Sequence, residues 1–117
     1  MVAEFGEIGV QNPGVVDLIT LEKASDTVVL VMTERRSWGA CAEQFKQIEE
    51  KLNRYMGYVL DGFFAEQYPQ YLGKAVQIRL DAAEAPHGEA VRFVAGMTDA
   101  TRSHGLRFVV AVLSPLS

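Results

Sequence analysis

A run of residues with no polar face, Thr27-Val28-Val29-Leu30-Val31-Met32-Thr33, decides the class of this chain. β-branched and apolar residues on both faces are the mark of a strand with neighbours on either side. Before it, Val16, Leu18 and Thr20 alternate with Asp17, Ile19 and Leu21 in a segment from Val15 to about Ala24. Ala24-Ser25-Asp26 is too short a link for anything but a hairpin between the two strands.

A long amphipathic helix follows. Ser37 stands where an N-cap belongs, and Trp38 enters the first turn. Cys41, Phe45, Ile48, Leu52, Tyr55 and Val59 recur at steps of three and four as one apolar stripe. Glu43, Lys46, Gln47, Glu50, Lys51 and Arg54 are assigned to the other faces, with Glu50 and Arg54 a favourable pair one turn apart. Beyond Tyr55 the stripe widens through Met56, Leu60, Phe63 and Phe64, so the end of this unusually long helix must be buried on more than one side.

Pro69 and Gly73 break the chain. Val76, Ile78 and Leu80 then alternate with Gln77, Arg79 and Asp81 as a half-exposed strand, the pattern of a position near a sheet edge. A second helix runs from about Glu89 to His104 on a stripe of Ala90, Phe93, Val94, Met97 and Thr101, and Gly105 ends it. Leu106 to Leu113 is the last strand, and Pro115 closes it.

The reading is therefore an α/β domain, a four-stranded mixed sheet in ββαβαβ order with two helices, over residues 15–117. Residues 1–14, rich in glycine and ending in Asn12-Pro13-Gly14, read as a flexible arm. Crossovers in one direction give strand order 1-2-3-4 with both helices on one face. The half-polar third strand favours 1-2-4-3, with one helix on each face, and the sequence leaves both open.

A net charge of −4 on 117 residues argues against nucleic acid and anionic membranes, which require a basic surface. One cysteine, Cys41, permits no internal disulfide, and two distant histidines give no metal site. Nothing calls for a cofactor. No apolar stretch approaches the ~18 residues of a membrane span, and the start of the chain lacks the pattern of a secretory signal, so the expected compartment is the cytoplasm.

Trp38, Lys51-Leu52-Asn53 with Tyr55, Gly62, and Tyr68-Pro69 together resemble an uncharacterised bacterial domain family of unknown function, over Val15 to Leu113. That resemblance implies no chemistry and carries no catalytic residue. The element order is also similar to that of sulfate-transporter and anti-sigma-antagonist domains, with Asp81 and Pro86 near their acidic strand end and turn. Their Asp-Ser-Ser-Gly turn has no counterpart in Ala85-Pro86-His87-Gly88-Glu89, so only an interaction-module fold is implied.

Candidate chemistry is sparse. Cys41 falls in register with the helix stripe and reads as core packing rather than a nucleophile. His104 lies at a helix C-terminus, which favours its charged form. Topology supplies one ligand corner: Arg35, Arg36 and Ser37 after the second strand, with His87 and Gly88 after the third, meet helix N-termini at the carboxyl ends of parallel strands. That arrangement suits a small anion. Met56, Leu60, Phe63 and Phe64 form the expected interface, covered by a second subunit or by Phe5 and Ile8 of the arm. The leading expectation is a non-enzymatic interaction domain, a homodimer or one that docks on another protein, with anion binding as the alternative.

Overall fold

The computed structural model describes residues 9–12 and 16–113. Phe5, Ile8, Pro13, Gly14, Val15 and Pro115, used in the sequence reading, lie outside that range. The elements are β1 (Leu18–Glu22), β2 (Thr27–Glu34), α1 (Gln44–Leu60), α2 (Phe63–Gln67), a 3-10 turn (Pro69–Tyr71), β3 (Ala75–Ala82), α3 (Glu89–Arg102) and β4 (Arg107–Val112).

The sheet is ordered β1-β2-β3-β4. β1 pairs antiparallel with β2 through the hairpin, Leu18 opposite Val31 and Glu22 opposite Thr27. β2, β3 and β4 are parallel, with Leu30 beside Ile78 and Ile78 beside Phe108. Both crossovers step the same way, so α1 and α3 share one face and touch through stacked Phe45 and Phe93 rings, 4.4 Å apart. Val28, Leu30, Met32, Ile78, Leu80, Ala82 and Phe108 meet Ile48, Leu52, Tyr55, Met56 and Ala90 in one core.

This order explains β3. Its polar residues Gln77, Arg79 and Asp81 do not mark an edge, because β3 lies between β2 and β4. They mark the face opposite α1 and α3, which carries no helix among the described residues, and there even a central strand needs only one apolar side. Arg79 and Asp81 pair there at 2.7 Å. Val29 and Val31 occupy the middle of the same face, each 2% exposed. By register they lie between Leu18 and Thr20 on one side and Gln77 and Arg79 on the other.

The long helix differs from the periodic reading at both ends. Residues 38–43 are turns, and α1 starts at Gln44 without a side-chain cap. Ser37 is not the N-cap. Trp38 is tied to the loop after β3, its backbone N–H donating to Glu84 Oε2 at 3.1 Å and its indole Nε1–H to the Glu84 carbonyl at 2.9 Å. At the other end Gly62 takes φ +89°, a left-handed conformation that stops α1 and starts α2 on a new axis. No helix among the described residues is long and apolar enough to cross a membrane.

Candidate functional site

At the carboxyl end of the parallel strands, Glu34 is opposite Ala82, so the loops carrying Arg35–Ser37 and His87–Gly88 do share one end of the domain. Their charges are turned inward. The Glu34 carboxylate, 1% exposed, accepts a fork from Arg36, Nε to Oε2 at 2.8 Å and Nη2 to Oε1 at 2.7 Å. Arg36 also donates to Gln47 Oε1 at 2.7 Å and to Cys41 Sγ at 3.1 Å. Gln44 Nε2 donates to Glu34 Oε1 and to the Ser37 carbonyl, while its own Oε1 takes the Gly39 N–H. The hydrogen bond to Glu34 holds the Arg36 guanidinium above its ordinary pKa, against desolvation.

His87 meets Glu84 at 2.9 Å, and Glu84 is in turn spent on the Trp38 N–H. Those two contacts, His87 first, hold the Glu84 carboxyl below its usual range. Gly88 precedes α3 with φ +58° and is exposed. Arg35 is exposed and is the one cation of this corner without a carboxylate partner among the described residues. Cys41 lies in the turn before α1, partly exposed, rather than in the helical core stripe, because α1 begins later than the periodicity suggests.

A second polar cluster was not visible in the charge pattern. Lys51, assigned to an outer face, is fully buried. Its Nζ donates to the Gly9 carbonyl at 2.6 Å, the Asn12 carbonyl at 3.0 Å and Asp17 Oδ1 at 2.7 Å. Asp17 accepts further from the backbone N–H groups of Gly9 and Thr33. One turn on, the Tyr55 hydroxyl donates to the Val31 carbonyl at 2.8 Å and accepts the Asp17 N–H at 3.0 Å. Burial lowers the pKa of Lys51, with Asp17 opposing, and raises that of Tyr55. Residues 9–12 are thereby fixed over α1, and Val10 is fully buried. An ammonium sealed by three acceptors is a staple, not a nucleophile.

The expected interface divides. Met56 is 7% exposed and Phe64 3%, so both belong to this chain's own core and cannot line a contact with another subunit. The cause is the break at Gly62: α2 folds back and Phe64 packs on Tyr58, Tyr68 and Tyr71, with ring centroids 5.5–6.1 Å away. Leu60 and Phe63 stay outside, 50% and 58% exposed.

The same fold-back builds a groove of about 420 Å³ along β1, lined by Val16, Ile19, Tyr58, Gln67, Tyr68 and Tyr71. The Tyr58 hydroxyl donates to Gln67 Oε1, and burial raises its pKa. Sequence reasoning missed this groove. Tyr68 and Tyr71 frame Pro69 at helical spacing, but nothing in their pattern says that they return to an edge strand. A larger hollow, about 670 Å³, is bounded among the described residues by Lys46, Glu49, Glu50, Asn53 and Arg54, whose charges cancel. Among the described residues no three His, Cys, Asp or Glu side chains converge as a metal site.

No curated protein and no solved structure matches the chain. The sequence model of a family of unknown function, DUF6572, matches residues 8–114, and the chain belongs to that family.

Proposed function

We propose that this chain is a non-enzymatic interaction domain that forms a homodimer through the free edge of β1. The observation that carries the reading is an unguarded edge strand beside an aromatic groove. Among the described residues β1 pairs only with β2, leaving its outer backbone groups open. Edge strands are normally protected by lysine, proline or a bulge. Leu18-Ile19-Thr20-Leu21-Glu22 carries none of these, and among the described residues its guards are its short length and Glu22 at its end. Leu18 is 53% exposed on the helix-free face, and the tyrosine groove lies on the other. Tyrosines are enriched at protein interfaces.

Two copies of β1 fit antiparallel about a two-fold axis through Thr20. Ile19 then faces Leu21 of the other copy on the groove side, and Leu18 faces Glu22, so the two carboxylates never oppose each other. The product is a continuous eight-stranded sheet, β-augmentation with a second copy as the added strand. The lack of a catalytic role is supported by the buried ionisable groups: Asp17, Lys51, Glu34 and Tyr55 are all engaged in holding backbone or one another. A charge of −4 favours protein over nucleic acid as the partner, and a lone cysteine suits the cytoplasm.

Sedimentation equilibrium tests this. Wild type is expected to be dimeric at high micromolar concentration. Thr20→Lys sets two like charges face to face on the axis and should give a monomer with unchanged circular dichroism. Leu18→Lys places its ammonium against the other copy's Glu22 and should keep the dimer. A monomeric wild type overturns the reading, as does a dimer that survives Thr20→Lys and is lost in Phe63→Ser, which would put the contact at Leu60 and Phe63.

A further inference from the structure

The anion corner expected at the carboxyl ends of the strands has Arg36 and His87 occupied by carboxylates, and the opposite end of the sheet presents a second basic cleft. There the starts of β2 and β3 and the α3–β4 turn enclose a cleft of about 330 Å³, lined by Thr27, Ala75, Val76, Arg102, Gly105, Leu106 and Arg107. Its walls include two arginines and a threonine, and no acid. Two of the acids nearby are ion-paired, and the third, Glu22, has a hydroxyl partner and keeps its charge. Asp26 pairs with Lys74 at 2.7 Å, Asp99 with Arg102 at 3.0 Å, and Glu22 takes the Ser25 hydroxyl. Arg107 has no carboxylate partner among the described residues. In a chain of net charge −4, a cleft with two arginines and no acid in its walls is a local exception.

Gly105 takes φ +79°, and a side chain placed there would meet nothing within 4 Å. Its conformation rather than crowding by the described residues selects glycine. The backbone N–H groups of Gly105 and Leu106 are held by the Arg102 and Thr101 carbonyls, which fixes the turn between the two arginines. The cleft is at the lower end of the size range of small-molecule sites, and guanidinium forks match phosphate oxygens two at a time.

We propose that this cleft, between Arg102 and Arg107, binds a phosphate group, either inorganic phosphate or the head of a small phosphomonoester. The site is independent of the β1 edge, which lies on the far side of β2.

The test is a two-dimensional amide NMR titration of the full chain with inorganic phosphate and, separately, glycerol 3-phosphate, at ionic strength held constant with chloride. Saturable shifts are expected at Ala75, Gly105, Leu106 and Arg107. Arg107→Gln should weaken binding at least tenfold, and Arg35→Gln should leave it unchanged. Tighter binding of glycerol 3-phosphate than of phosphate identifies the monoester as the ligand type, and equal binding identifies the free ion. Shifts no larger than those chloride produces, an Arg107→Gln variant that titrates like wild type, or shifts centred on Ser37 and Gly88 would overturn the proposal. Arg107 is exposed at a strand start, so its replacement leaves the core intact.

Discussion

Lys51–Asp17 and Arg36–Glu34 are both ion pairs whose carboxylate is shut away from water, and they differ in what surrounds the cation. Lys51 is 0% exposed and its remaining donors go to main-chain carbonyls of residues 9 and 12, some forty residues away in sequence. Arg36 is 24% exposed, and its other donors go to side chains within eleven residues. The first pair ties an outlying segment to α1 and β1. The second organises one loop. Buried pairs seldom add net stability over apolar substitutes. Here, though, Lys51 and Asp17 also satisfy the Gly9 N–H and carbonyl, the Asn12 carbonyl and the Thr33 N–H, which no apolar pair would do.

The largest effect expected from that contrast is on Lys51. Lys51→Met leaves the Asp17 carboxylate buried without its counter-ion and strips two backbone carbonyls of a donor, at a cost of about 3–5 kcal/mol. That is a large share of a total stability of about 5–15 kcal/mol. Arg36→Met should cost less, about 1–3 kcal/mol, because Glu34 keeps Gln44 Nε2 and the Arg36 N–H as donors. Urea unfolding with matched slopes measures both. Equal losses would mean that the span of the Lys51 contacts contributes nothing.

The contrast also shows where the sequence was legible. Apolar runs on β2 and β4, the hairpin link and both crossovers depend on local pattern, and the four strands and both main helices were read from it. Lys51 was assigned outward because charge ordinarily means solvent. It is buried because residues 9–12 cover a second side of α1, a contact no helical period encodes. The break at Gly62 had a local signal, an Asp-Gly pair, but the apolar stripe continues across it through Phe63 and Phe64. Periodicity alone cannot tell a continuing helix from one that turns back. The loops of the expected anion corner do share one end of the sheet, yet Glu34 and Glu84 engage Arg36 and His87 there through side-chain rotamers that a sequence does not specify.

Tyr55 sharpens the comparison through pH. Tyr55→Phe removes the donor to Val31 and the acceptor for the Asp17 N–H, costing about 1–3 kcal/mol at neutral pH. Burial raises the phenol's pKa above its ordinary value of 10.0 in the folded state. The folded protein therefore binds more protons than the unfolded chain above that pH, and stability contributed by Tyr55 is full below it and lost as pH rises. While the folded phenol stays neutral, each pH unit beyond 10 removes about 1.4 kcal/mol. Lys51 and the other titrating groups are common to both proteins and cancel in the difference. The gap between wild type and Tyr55→Phe should thus close within about two pH units above 10. A gap that stays constant would show that the hydroxyl is open to water.

The smallest expected change in stability belongs to Asp99→Asn. Asp99 and Arg102 are 76% and 72% exposed, three residues apart at the end of α3. An exposed pair of this kind contributes about 0–1 kcal/mol, so unfolding should shift by less than about 0.5 kcal/mol. Its consequence for the cleft is of another kind. Asp99 is the carboxylate that competes for the Arg102 guanidinium, and its neutral replacement frees the fork and removes a negative charge near a phosphate. Phosphate affinity should rise by roughly two- to fivefold, with the gain shrinking at high salt as exposed charges are screened. If affinity falls instead, Asp99 acts by holding Arg102 in place, and the cleft would then resemble the Arg36 cluster, a cation positioned by its own carboxylate, more than an open site.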